Sequence, residues 1–312
     1  MSVSLGIDTS NYTTSVAVFD GESGENVGKL LEVPSGALGL RQSEALFQHV
    51  RQLPALFAKL RQEGLLEGIV AVGASTRPRA VEGSYMPCFL AGESQGRSLA
   101  HALGVPFYAV SHQQGHLAAA AFTAGRAELL EGPFLAWHLS GGTTELLLVE
   151  PEGNELHARK IGGSSDISAG QLIDRTGQLL GLAFPAGKAL DELSERWESG
   201  EHFSVKIHDF TFSLSGVENK VKERAAKGAG PEEIARFALA TVADAVCRAT
   251  DAARHRWPGL PVLCSGGVAS NRLLRQVLTE RCGAVFAPAR YSTDNAMGVA
   301  VLAHRYWEEG QP

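Results

Sequence analysis

The chain has 312 residues, 44% hydrophobic and 20% charged, a globular composition with enough length for two domains. Lys plus Arg is 28 against 34 Asp plus Glu, and a net charge of −6 argues against strong stand-alone nucleic-acid binding, which needs clustered cations. Apolar runs such as residues 118–122 and 146–149 are far too short for a bilayer, and the first residues lack a signal-peptide pattern, so no membrane partner and a cytoplasmic chain are expected. Cys88, Cys247, Cys264 and Cys282 show no CxxC spacing, which speaks against a zinc ribbon or disulfide scaffold and for buried thiols.

The chain opens with Leu5-Gly-Ile-Asp-Thr-Ser, then a polar turn, Ser15-Val-Ala-Val-Phe and Asp20-Gly. Some 130 residues on, Leu135-Ala-Trp-His-Leu-Ser is followed by Gly141-Gly-Thr-Thr, Glu145-Leu-Leu-Leu-Val and a second turn. Both stretches predict strand, turn, strand. A turn that exposes backbone N–H groups and hydroxyls can cradle an anion. Between the two hairpins, residues 40–62 repeat apolar positions at helical spacing, residues 68–73 form a short buried strand, 98–103 end a helix and 106–110 form a strand. Further on, a helix is expected over 166–182, capped by Ser165 or Asp166. A long helix follows over 231–257, then a strand at 261–264, a helix over 271–281, a strand at 284–287 and a last helix over 296–307. Alternating strands and helices in two similar halves indicate an α/β fold of two related lobes, with a ligand expected in the cleft between them.

His112-Gln-Gln-Gly-His116 carries the sharpest chemical signal. Imidazoles at i and i+4 share a helix face and can reach one ion. In zinc proteases of this spacing a Glu follows the first His as general base; Gln113 stands there and cannot take a proton, so a protease of that type is excluded. Two ligands are too few for a stable site. Asp294, after a strand and at a helix start, is the best third ligand, although that position equally suits a helix cap. Two His and one carboxylate with open positions suit iron(II) or zinc. The Gly-Gly turn in Ser265-Gly-Gly-Val-Ala-Ser-Asn271-Arg272 lets a ligand approach backbone ahead of a helix N-terminus. Gln171, Asp174 and Gln178 form a polar stripe that reads as a solvated face or as a binding face.

These motifs, in this order, resemble the TsaD family, the transferase subunit that makes threonylcarbamoyladenosine in tRNA, formerly called O-sialoglycoprotein endopeptidase. Gly6-Ile-Asp8-Thr9-Ser10 matches its first phosphate hairpin, His112 and His116 its paired histidines, and Leu139-Ser140-Gly141-Gly142-Thr143 its nucleotide hairpin. Residues 162–175 with Asp174, residues 181–187, Asp191, Phe212-Ser-Leu-Ser-Gly, Gly266-Gly-Val-Ala-Ser-Asn271-Arg and Thr293-Asp294-Asn complete the set. The resemblance implies a duplicated two-lobe actin/sugar-kinase-like (ASKHA) α/β fold. The expected division is residues 1–108, with the helix 295–312 packed back on them, against residues 109–294. It also implies a divalent metal, iron or zinc, on His112, His116 and Asp294. An adenine nucleotide or threonylcarbamoyl-adenylate would lie against Leu139, Ser140, Gly141, Gly142, Thr143, Asp174, Gly187, Asp191 and Asn271. Protein partners of the threonylcarbamoylation complex would handle the tRNA.

Several positions depart from the family pattern. Its Cys-Asp-Glu is Asn11-Tyr12-Thr13 here, its Gly-Pro-Gly is Arg77-Pro78-Arg79, and the His of its Ser-Gly-Gly-His-Thr is Thr143. The chain therefore reads as a divergent paralogue with altered site walls. Two alternatives to tRNA threonylcarbamoylation stay open at this point: carbamoyl transfer to another acceptor, and a non-catalytic nucleotide-binding partner subunit.

Overall fold

The computed structural model of the chain describes residues 2–10, 12–33, 40–153, 155–288, 291 and 294–310. They form two compact units, residues 1–130, 151–158 and 293–312 in the first, and 131–150 with 159–292 in the second.

In the first unit the strands are β1 (Val3–Asp8), β2 (Thr13–Phe19), β3 (Gly24–Leu30), β4 (Ile69–Arg77) and β5 (Phe107–Ser111), with helices α1 (Gln42–Gln62), α2 (Phe89–Leu103) and α3 (His112–Thr123). The sheet runs β3-β2-β1-β4-β5. β1 pairs antiparallel with β2 and parallel with β4, the helices Phe89–Leu103 and Met297–Glu309 pack against it, and every one of its residues is buried. Leu53, Leu56 and Leu60 of α1 join Leu5, Ile7 and Val72 in one apolar core. α2 ends at Gly104, whose φ of 66° is the left-handed conformation that stops a helix.

The second unit is built on β6 (Phe134–Leu139), β7 (Thr144–Glu152) and β8 (Glu155–Ser164), then α4 (Ala169–Leu179), α5 (Gly187–Ser194), β9 (Thr211–Phe212), α6 (Ser215–Ala226), α7 (Pro231–Arg256), β10 (Val262–Ser265), α8 (Arg272–Cys282) and β11 (Val285–Phe286). Its sheet order is β11-β10-β6-β7-β8-β9. β6, β7, β8, β10 and β11 repeat the arrangement of β1 to β5, with β9 added at one edge. The duplication read from the two hairpins is thus present in the topology itself. Trp137 anchors this core, with its indole N–H donating to Thr250 Oγ1 at 2.9 Å. None of the four cysteines is in a disulfide, and all are buried. Among the described residues, no helix is long and apolar enough to cross a membrane.

The last helix, α9 (Met297–Glu309), returns to the first unit and packs on β1, β2, β4 and α3. This return also moves α3 into the first unit, whereas the sequence reading began the second lobe at residue 109. The physical reason is steric: a methyl on Gly298 would stand 2.5 Å from Ala119 N, so only glycine lets the α9 backbone lie against α3. The helix expected over 166–182 is shorter than that. Ser168 caps α4 through a box with Gln171, while Asp166 accepts hydrogen bonds from Ser213 Oγ and the Leu214 and Ser215 N–H groups.

Candidate metal centre and nucleotide pocket

Ser111 caps α3, accepting from the Gln114 N–H while its own N–H donates to Gln114 Oε1 at 2.7 Å. Helix therefore begins at His112, and His112 and His116 fall one turn apart on one face. Their Nε2 atoms are 3.0 Å apart. Asp294 Oδ1 lies 3.5 Å from His112 Nε2 and 3.4 Å from His116 Nε2. The cap of α9 is Ala296, so Asp294 faces the imidazoles and does not serve as the helix cap. For metal bonds of about 2.0–2.1 Å in tetrahedral geometry, donors stand about 3.3 Å apart, and these separations fit a single divalent ion. His112, His116 and Asp294 all belong to the first unit.

The electrostatics point the same way. Burial pushes the His112 imidazole towards its neutral form, but the Asp8 charge and hydrogen bonds to Asp294 and Asp8 outweigh it and lift its pKa to about 10. Burial likewise raises Asp294, and its bonds to His112 and His116 reverse this, holding it well below the usual carboxylate range. Two carboxylates flanking an imidazole pair favour positive charge there, whether a proton or a metal ion.

Asp8, Thr9 and Ser10, expected to face a phosphate, are at most 1% exposed. Thr9 Oγ1 donates to the Cys88 carbonyl and accepts from the Gly92 N–H, and Ser10 Oγ donates to Asp8 Oδ2 at 2.5 Å. These hydroxyls are engaged inside the protein.

The second unit contains a cavity of about 430 Å³ lined by Gly141, Ile173, Asp174, Gly187, Asp191 and Asn271, together with Gly170, Pro185, Lys188 and residues 267, 268 and 270. Of the expected nucleotide-hairpin residues, only Gly141 reaches this lining. Leu139 is core, while Ser140 closes the turn by accepting from the Thr143 N–H, with exposed Gly142 between them. Gly170 lies so close to that turn that a methyl there would sit 2.5 Å from the Ser140 carbonyl oxygen.

Asp174 Oδ1 accepts from the Ala186 N–H at 2.9 Å, and its Oδ2 has no partner among the described residues. Asp191 is engaged inside the chain, accepting from Asn271 Nδ2 at 2.7 Å and from the Arg272 backbone N–H and side chain. Asn271 Oδ1 in turn caps α8 through the Leu274 N–H. Asp191 and Asn271 thus brace the glycine-rich turn that forms one wall. Lys188 is the only cation in the described lining and has no ion-pair partner among the described residues.

A family model described as tRNA N6-adenosine threonylcarbamoyltransferase, TsaD, matches residues 43–301. A Thermus thermophilus protein of that name is 34% identical over 319 aligned residues, covering 99% of this chain and 94% of the relative. The chain belongs to this family. A Chlorobium luteolum member is also 34% identical, over 96% of this chain and 91% of its own length.

Solved structures agree on the fold. Full-length HypF in a phosphate- and nucleotide-bound form superposes with a TM-score of 0.63 at 16% identity, over 98% of this chain and 56% of that one. A ROK family protein from Streptococcus pneumoniae in complex with sucrose gives 0.50 at 12% identity, over 98% of both chains. The fold is the two-lobe α/β architecture of the actin and sugar-kinase group.

Of the departures from the family pattern, Arg77 lies beside the start of the helix that carries the two histidines, and Thr143 lies in the hairpin turn of the second unit. Arg77 pairs in register with Ser111, one residue before His112, and its guanidinium is 3.8 Å from Glu155. Tyr12 and Thr13 are half-buried at the start of β2, and Asn11 lies outside the described residues. Ser75, Ile173 and Lys188 escaped the sequence reading because each reaches its site only through strand pairing or helix packing. The glycine at 170, two residues after the Ser168 cap, is a local signal of a close backbone approach.

Proposed function

We propose that the chain transfers the threonylcarbamoyl group from threonylcarbamoyl-adenylate to the tRNA adenosine next to the anticodon, in the cytoplasm and with protein partners that handle the tRNA. The observation that carries this is the meeting of His112, His116 and Asp294 at metal-ligand spacing in a TsaD-family chain. The four buried thiols suit a reducing compartment, and the net charge of −6 suits an enzyme whose tRNA is delivered by partners.

Ile173, Pro185 and Val268 offer apolar walls to an adenine ring, and the open Asp174 oxygen suits a ribose hydroxyl. Lys188 suits the phosphate. When bound, an iron(II) or zinc ion on the two imidazoles and Asp294 supplies Lewis-acid polarisation of the carbamoyl carbonyl. The adenosine amine nitrogen forms the new bond to that carbon, the bond to the phosphate oxygen breaks, AMP leaves, and the amine proton passes to solvent. The protein contributes chiefly position and charge stabilisation.

The test is nucleoside analysis of tRNA after deletion of the gene, in a cell with no second family member. Loss of threonylcarbamoyladenosine is expected. Unchanged modification there would refute the proposal.

A further inference from the structure

Asp8 ends β1 and is 1% exposed. Its Oδ1 lies 3.1 Å from His112 Nδ1 and accepts from the Ser75 hydroxyl. Its Oδ2 accepts from Ser10 Oγ at 2.5 Å and from the Ser10 N–H at 3.4 Å. An ionised carboxylate only accepts, so His112 Nδ1 carries a proton and donates it to Asp8. A metal ion would then take the place of the proton on Nε2, the nitrogen that meets His116 and Asp294.

We propose that Asp8 is a positioning residue for the metal centre, fixing the tautomer and ring orientation of His112 so that Nε2 is presented to the ion. The two serines hold the carboxylate from β4 and from the turn after β1, so the ring is oriented by the sheet and not by its own helix alone. A ring nitrogen that ligates a metal commonly depends on a carboxylate at its other nitrogen, and losing that partner weakens metal affinity about 10–100-fold. The burial of Asp8 suits this role.

The inference rests on the metal reading above, and the test separates the two. Zinc and cobalt(II) affinities of wild type and Asp8→Asn are measured by competition with a chromophoric chelator, with the cobalt(II) absorption spectrum as a second readout. Asn keeps the shape and an acceptor but removes the charge. Binding about 10–100-fold weaker, with shifted cobalt bands, is expected. Equal affinity with unshifted bands overturns the role of Asp8 alone, whereas a wild-type chain that binds neither ion overturns the metal reading with it. Because Asp8→Asn disturbs a buried network and could fail to fold, the zinc-loaded wild type is also examined by ¹⁵N NMR. A protonated Nδ1 on His112 is expected, and a proton on Nε2 overturns the inference without any variant.

Discussion

Gly298 of α9 lies against the backbone of Gly115 in α3, with its Cα facing the Gly115 carbonyl and the Ala119 N–H. This crossing carries Asp294, four residues before Gly298, to the imidazoles on α3. Gly298→Ala must push the helices apart. We expect a loss of about 2–4 kcal/mol in stability, since overpacking against backbone cannot be relieved by a side-chain shift. Metal stoichiometry should fall as well. Urea unfolding and metal analysis check this, and a variant as stable as wild type would contradict the close crossing.

His116→Ala and Asp294→Ala each remove one of three donors. Bound zinc or iron after purification should fall from about one per chain to near zero, as two remaining ligands do not hold a stable site. Elemental analysis beside circular dichroism decides it, with the fold expected to persist because both side chains are part-exposed.

The buried His49 should make the protein acid-sensitive. Gln52 Nε2 donates to the Leu30 carbonyl, so Gln52 Oε1 accepts from the Thr14 hydroxyl, which then accepts from His49 Nδ1–H at 2.8 Å. His49 Nε2 is left buried without a partner among the described residues. Burial lowers its pKa from 6.5 to about 4, although the charges of Asp8 and Asp294 pull the other way. The folded state therefore takes up the proton later than the unfolded chain. The stabilisation is complete above pH 6.5 and is lost as pH falls towards 4. Between pH 7.5 and 4.5, wild type should lose about 2–3 kcal/mol more than His49→Gln. Parallel stability–pH curves for the two proteins would show that His49 is not held neutral.

The cavity of the second unit makes separate demands on the two parts of a nucleotide. Asp174→Asn should weaken AMP and adenosine alike, by about 1.5–3 kcal/mol for a hydrogen bond to a charged acceptor. Lys188→Ala should weaken AMP and leave adenosine unchanged, because only AMP carries the phosphate. Titration calorimetry with both ligands resolves this, and equal effects of Lys188→Ala on the two would remove its assigned partner.

Much of this was legible along the chain. The two Gly- and hydroxyl-rich hairpins announced a duplication because strand pairing follows local patterning, and five strands of each sheet obey it. The i, i+4 spacing of His112 and His116 required only that a helix start at Ser111, a cap that the residues themselves supply. What a linear reading could not supply was the partner of each polar group. Asp8 looked like one of a set of anion-binding residues, yet β4 brings Ser75 and α3 brings His112 to its carboxylate. Asp191 and Asn271 line the cavity as expected of ligand-facing residues and also bond each other across 80 residues.

The order of residues by itself determined the family, the alternation of strands and helices, and the three candidate metal ligands. All of these depend on residue type and short spacing. Only the tertiary structure decided which unit holds the candidate metal ligands, that Asp294 faces imidazoles and leaves the capping of its helix to others, and that Asp8 meets His112. A buried carboxylate takes its role from whichever donors the fold packs against it, and those donors come from strands and helices far away in the chain.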